Sequence, residues 1–180
     1  GVVDALALGR VPQITARVVR ALDEAGLLGR KIRIVGTNAL FAYEAAAAVH
    51  FDAGLTSTED VDLLFHARAG LRFTVHDDLR NASLMKVLQK VDRSFDRARA
   101  TFRAVNKDGF YVDLIKPELR PPWRREAETV GLELDDLVAS GIEGLFWLQN
   151  APSLEAVAFD ARGAPVRMVA VDPRAFAIHK

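Results

Sequence analysis

Apolar residues recur at Ile14, Val18, Val19, Leu22 and Leu27 with polar residues between them, the spacing of one buried helix face, and Gly29 follows as a stop. Ile32, Ile34 and Val35 then predict a short buried strand that ends at Gly36. "NALFAYEAAAAV" holds strong helix formers without a breaker, so Gly36 and Thr37 sit at a strand-to-helix turn, with Tyr43 and Glu44 as helix packing and surface. The polar "HFDAGLTSTE" is a loop, and "DVDLLF" is the next strand. Side chains alternate along a strand, so Asp60 and Asp62 share one face while Val61, Leu63 and Phe65 take the core-facing side.

Leu84, Val87, Leu88, Val91 and Phe95 mark a second amphipathic helix. "TFRAVNKDGFYVDLIKP" carries the strongest hairpin signal in the chain: the turn falls at Asn106 to Gly109, Asp113 lies inside the second strand, and Pro117 closes it. "ELRPPWRREAETVG" is a proline- and charge-rich connector. Beyond it, "LDDLVASGIEGLFWLQ" predicts a helix, and "LEAVAF" and "VRMVAV" predict a second hairpin around "DARGAP". Asp172 and Pro173 start a last helix as N-cap and first helical residue, and its early stop leads us to expect a fragment of a longer protein. This order of elements predicts an α/β (α+β) fold, a small mixed sheet flanked by helices. Its core spans residues 1–117, with a truncated C-terminal extension of helix plus hairpin over 118–180.

Composition narrows the function classes. Half of the 180 residues are apolar, and 24 basic residues balance 24 acidic ones, so the chain can bury a core and has no global pull toward nucleic acid or anionic membrane. The absence of cysteine excludes disulfides and thiolate chemistry and fits a cytoplasmic location. His50, His66, His76 and His179 stand far apart, as ordinary surface or edge histidines do. The longest apolar stretch, "ALFAYEAAAAVHF", is interrupted by Glu44 and too short to span a bilayer, so no membrane role is expected.

Asp-x-Asp by itself is ordinary at a strand end. What changes its meaning is the company it keeps: two same-face carboxylates, a third at Asp113 on another strand, and a turn at Gly36 and Thr37 where helix-start N–H groups can meet an anion. Hard divalent cations take oxygen ligands, and Mg²⁺ combines one or two carboxylates with phosphate oxygens and water. A pair of such metals stabilises the attacking and leaving oxygens of a phosphoryl displacement. Arg93, Arg97, Arg99 and Arg103 could reach phosphates, but the interleaved Asp92 and Asp96 favour a solvated helix face; Arg120, Trp123, Arg124 and Arg125 could stack on and neutralise single-stranded RNA, but read rather as a charged connector.

A strand ending in Gly-Thr, a helix, Asp-Val-Asp on the next strand and a lone Asp later resemble the nucleotidyltransferase superfamily typified by DNA polymerase beta. "VGTNALFAYEAAA", "TEDVDLLF", "FRAVNKDGFYVDLIKP" and "DPRAFAIHK" are most similar to a bacterial group of uncharacterised nucleotidyltransferase-fold proteins, and more distantly to toxin nucleotidyltransferases of abortive-infection systems. "VHFDAGLTST" lengthens the usual spacing between Gly36 and Asp60. The resemblance implies that Asp60 and Asp62 hold Mg²⁺ (or Mn²⁺) with the nucleoside triphosphate, and that Asp113 ligates the catalytic metal and helps deprotonate the attacking hydroxyl. It also implies that Gly36 and Thr37 contact the β and γ phosphates and that Lys180 binds triphosphate. The acceptor, whether RNA, protein or a small molecule, stays open, as does an antitoxin-like partner.

Other readings stand beside it. A catalytically inactive module of the same fold would bind nucleotide or a partner without turnover. A glycosyltransferase also uses Asp-x-Asp, but needs a longer nucleotide-binding half than precedes Asp60 and leaves Asp113 unexplained. A haloacid-type phosphatase would place its nucleophilic Asp directly after a first buried strand and a Thr two residues beyond the second Asp, where Leu64 stands.

Overall fold

The first apolar stripe folds as helix α1, Gln13–Glu24, which buries Thr15, Ala16, Val18, Val19 and Leu22. The computed structural model describes residues 9–56, 58–66, 83–118, 129–130 and 135–179. The helix stops before Gly29: Gly26 adopts φ 68° and its N–H donates to the Asp23 carbonyl, a left-handed exit that glycine takes without strain. Strand β1 is Gly9–Val11 and β2 is Ile32–Val35. A single 3₁₀ turn, Gly36–Asn38, leads into α2, Ala39–Ala47. Then follow α3, Ala53–Thr56, inside the predicted loop, and β3, Asp60–Phe65.

Helix α4 is Leu84–Val91, and β4 is Asp96–Arg97. The predicted hairpin forms as β5, Arg103–Val105, and β6, Tyr111–Pro117, with the Asn106 carboxamide oxygen accepting the N–H groups of Asp108 and Phe110 across the turn. The C-terminal part contains β7, Ser140–Ile142, and α5, Phe146–Asn150. Strands β8, Ser153–Asp160, and β9, Pro165–Val171, form the second hairpin, and α6, Pro173–His179, follows.

Among the described residues nine strands form one mixed sheet in the order β1-β8-β9-β2-β3-β6-β5-β4, with β7 beside the last half of β6. The C-terminal hairpin thus lies in the same sheet as β2, Ala170 facing Ile34 in a parallel pair. One face carries Ile32, Ile34, Val61, Leu63, Phe65, Val112 and Leu114 into a large core shared with α1 and α4. On the other face Val35, Leu64 and Ile115 pack with Leu145, Leu148 and Val171. The face that bears the acids is therefore itself apolar from Leu64 onward.

Two expectations change here. "LDDLVASGIEGLFWLQ" predicts one helix, but the segment contains β7 and only the short α5; Gly141 lies within β7 and Gly144 adopts φ 83°. Asp136 at its start is fully buried and accepts the N–H groups of Leu84 and Met85, at 3.0 and 2.9 Å, and of Leu137, so it caps α4 together with Ser83. Glu44, read as helix surface, is instead buried, because the Arg10 guanidinium forks onto it at 2.9 and 3.1 Å and the Phe51 N–H reaches it at 2.7 Å. No helix among the described residues is long and apolar enough to cross a membrane.

Asp160 ties α1 to the second hairpin: it accepts the turn N–H groups of Arg162 and Ala164 and pairs with Arg20 at 2.8 Å. Burial pushes its carboxyl up, but the Arg20 guanidinium and those N–H groups outweigh burial and hold it at about 2. Because the folded value lies below the ordinary 3.8, the stability this group contributes is fully present above about pH 4 and lost as pH falls toward 2. Urea unfolding of Asp160→Asn against the parent between pH 5 and 2 should show a shallower acid decline, and an unaltered decline contradicts the assignment. Asp136→Ala strips the N–H groups at the start of α4 and should cost about 2 kcal/mol, a fall of about 4–8 °C in melting temperature. Asp136→Asn, which keeps one acceptor, should lose less; equal melting of all three proteins contradicts the capping role.

Candidate active site

The site begins where β2 ends. Val35 faces Asp62 across the antiparallel β2/β3 pair, and Gly36 then turns with φ 67°. A Cβ built on Gly36 would lie 2.1 Å from Asp62 Oδ2 and 3.1 Å from its Cγ. The Asp62 carboxylate therefore rests in the space that only a glycine leaves.

Asn38, at the end of the same turn and 1% exposed, donates from Nδ2 to the Asp60 carbonyl at 2.6 Å, which pins the start of β3 to the start of α2. The sequence did not single it out. Its own Oδ1 is buried without a protein partner. The Thr58 hydroxyl hydrogen-bonds the Asp60 carboxylate.

Strands β3 and β6 run parallel with Asp60 opposite Tyr111 and Asp62 opposite Asp113. Neighbouring strands lie about 4.8 Å apart, so Asp62 and Asp113 are adjacent on one face. Asp113 is buried, and on its far side β5 places Arg103 directly opposite. The guanidinium clasps it with both arms, Nε to Oδ1 at 2.7 Å and an Nη to Oδ2 at 2.6 Å. The same guanidinium lies 4.7 Å from the centre of the Tyr111 ring and 5.7 Å from that of Phe102. The bonds to Asp113, and the charges of Asp113 and Asp60, raise its already high pKa further.

Gly36, Asp62, Arg103, Asp113 and His179 line one cavity of about 340 Å³, walled by apolar side chains such as Phe102, Ile115, Leu145 and Phe176. Of the predicted site residues, Gly36, Asp62 and Asp113 are thus brought together. Asp60 and Thr37 are not among the cavity's lining residues, and Lys180, like Arg120, Trp123, Arg124 and Arg125, lies outside the described residues. Among the described residues no group of three or more acidic or histidine side chains stands close enough to hold a metal ion. Both Asp113 oxygens face Arg103, and Asp60 is bonded to Thr58.

Arg103, expected on a solvated helix face, instead sits on a strand with its charge directed at Asp113. The signal was present in the hairpin: once the turn at Asn106 to Gly109 sets Val105 against Tyr111, Arg103 must fall against Asp113. His179, read as an ordinary surface or edge histidine, lines the cavity only because α6 folds back over the sheet.

A family model described as Nucleotidyltransferase matches residues 13–180. The chain belongs to this nucleotidyltransferase family. No curated protein and no solved structure gives a match. The family match runs from the start of α1 through α6, so the acid row, the Gly36 turn and the C-terminal hairpin of this nucleotidyltransferase all fall within it. Membership supports nucleotidyl transfer as the general chemistry and an α+β architecture as its frame.

Gly36→Ala and Gly109→Ala separate backbone strain from the close approach of Asp62. Both glycines have positive φ, but a Cβ on Gly109 would meet nothing within 4 Å. Gly109→Ala should lose about 1–2 kcal/mol, the cost of a left-handed non-glycine residue, and Gly36→Ala distinctly more because the acid must move. Chemical denaturation measures both; equal losses contradict the packing of Asp62 onto the turn.

Proposed function

We propose that this protein transfers a nucleoside monophosphate from a nucleoside triphosphate to a hydroxyl acceptor, releasing pyrophosphate, with Asp60, Asp62 and Asp113 as the metal-binding acids. The observation that carries this reading is the pairing of Asp62 with Asp113 on adjacent parallel strands, facing one cavity beside the Gly36 turn. Their carboxylate oxygens are the donors a hard divalent cation takes, and the glycine at position 36 leaves the space in which the Asp62 carboxylate sits at the edge of that cavity. Asp62 and Asp113 would hold Mg²⁺ or Mn²⁺ together with phosphate oxygens and water, and Asp60 is retained as a ligand from the resemblance. Such an ion, when bound, supplies positive charge to the transferred phosphoryl group and its leaving oxygen.

The chain's own groups account for the rest. Gly36 sets the turn beside the acids, and the N–H groups that open the helix at Thr37 and Asn38 orient a phosphate of the nucleotide. Asn38 holds Asp60 in register with that turn. Asp113 accepts the proton of the acceptor hydroxyl while the acceptor oxygen bonds to the α-phosphorus and the bond to the pyrophosphate oxygen breaks. Lys180 is retained as a triphosphate contact from the resemblance alone.

A second reading draws on the Arg103 clasp: with both Asp113 oxygens engaged by a guanidinium, the chain would be a module that binds nucleotide or a partner without turnover. Incubation with labelled nucleoside triphosphates, Mg²⁺ and candidate RNA, protein and small-molecule acceptors distinguishes the two. Transfer by the parent that falls about 100-fold or more in Asp62→Asn and Asp113→Asn supports the enzyme. Equal labelling by all three proteins sinks the site assignment, and calorimetric binding of Mn²⁺ with nucleotide in the absence of any turnover supports the inactive module.

A further inference from the structure

Asp113 is buried, and a buried carboxylate without a counter-charge is strongly disfavoured, so the metal-free chain needs a cation there. Arg103 is that cation, and its fork satisfies both carboxylate oxygens. Yet the guanidinium is not locked in. Its side chain is 36% exposed, it opens onto the cavity that holds Gly36 and Asp62, and it rests against the rings of Tyr111 and Phe102 while it clasps Asp113. It also lies within the electrostatic reach of Asp60.

We propose that Arg103 is a displaceable counter-ion: a divalent cation takes Asp113 from it, and the released guanidinium moves to the phosphates of the nucleotide in the same cavity. The inference rests on the metal-dependent reading above and adds a residue and a coupling to it. A divalent cation alone must break the clasp and strand the guanidinium, so it binds weakly. A divalent cation with a triphosphate brings both the positive charge that Asp113 requires and the negative charge that Arg103 requires. Metal and nucleotide therefore bind cooperatively, and the cooperativity runs through Arg103.

Manganese titration of the whole chain, followed by the paramagnetic signal of free Mn²⁺, tests this with and without a non-hydrolysable nucleoside triphosphate. The proteins are the parent, Arg103→Met, Arg103→Lys and Asp62→Asn, each checked for its melting transition. In Arg103→Met, Mn²⁺ alone should bind about 10-fold more tightly than in the parent, and the gain in Mn²⁺ affinity that the nucleotide confers should shrink by about the same factor. Arg103→Lys keeps the charge but loses the fork, so it should shift in the same direction by less, and it carries the test if Arg103→Met does not fold. Mn²⁺ binding that is lost in Asp62→Asn but unchanged or weaker in the Arg103 variants overturns the counter-ion role and leaves the metal site standing. Mn²⁺ binding that is absent from the parent with nucleotide present, or indifferent to Asp62→Asn, overturns the metal reading and this inference with it.

Discussion

One row of side chains crosses four strands of the sheet: Val35 on β2, Asp62 on β3, Asp113 on β6 and Arg103 on β5. Everything at the site depends on that register. Side chains alternate with a period of two, so a slip of one residue between β3 and β6 would set an acid beside a core residue of the neighbouring strand and break the Leu63–Leu114 and Leu64–Ile115 pairs. The apolar residues on either side thus enforce the position of the charged ones. Asn38 reinforces the register from outside the ladder by anchoring the Asp60 carbonyl to the turn after β2.

The row lies at a boundary between two environments. Toward the C-terminal ends of β3 and β6 the same face becomes apolar, where Leu64 and Ile115 pack with Leu145, Leu148 and Val171. Charges placed against such a layer interact more strongly than they would in water, and an unpaired one costs correspondingly more. That is the physical sense of a guanidinium clasped to Asp113 with two short bonds: it keeps a buried carboxylate electrically satisfied in the folded chain. The C-terminal hairpin contributes as well, because β9 pairs with β2 and Val171 lies in the layer that covers the acid-bearing face.

Membership of a nucleotidyltransferase family and the acid row point in the same direction, but they speak to different things. The family match concerns the whole stretch from α1 to α6; the row concerns three or four side chains and the charge they carry. In that row a cation of the chain's own, Arg103, stands at one end, paired with Asp113.

Much of the site is legible in the sequence, because it lies on short-range patterns. The period of two in "DVDLLF" places Asp60 and Asp62 on one face; the strand, glycine and Ala-rich helix place the turn at Gly36; and the Asn106 to Gly109 turn sets the β5–β6 hairpin. The misread segments share a different cause. Glu44 on an Ala-rich helix and Asp136 in an apparently helical run are polar residues whose burial depends on partners far along the chain, Arg10 in one case and the N–H groups at the start of α4 in the other. Local pattern determined which residues could share a face. Only tertiary structure decided that β3 lies parallel to β6, that Asp62 meets Asp113 and that Arg103 holds it, because strand pairing across about fifty residues of chain is set by the whole sheet's burial and not by any one segment's period.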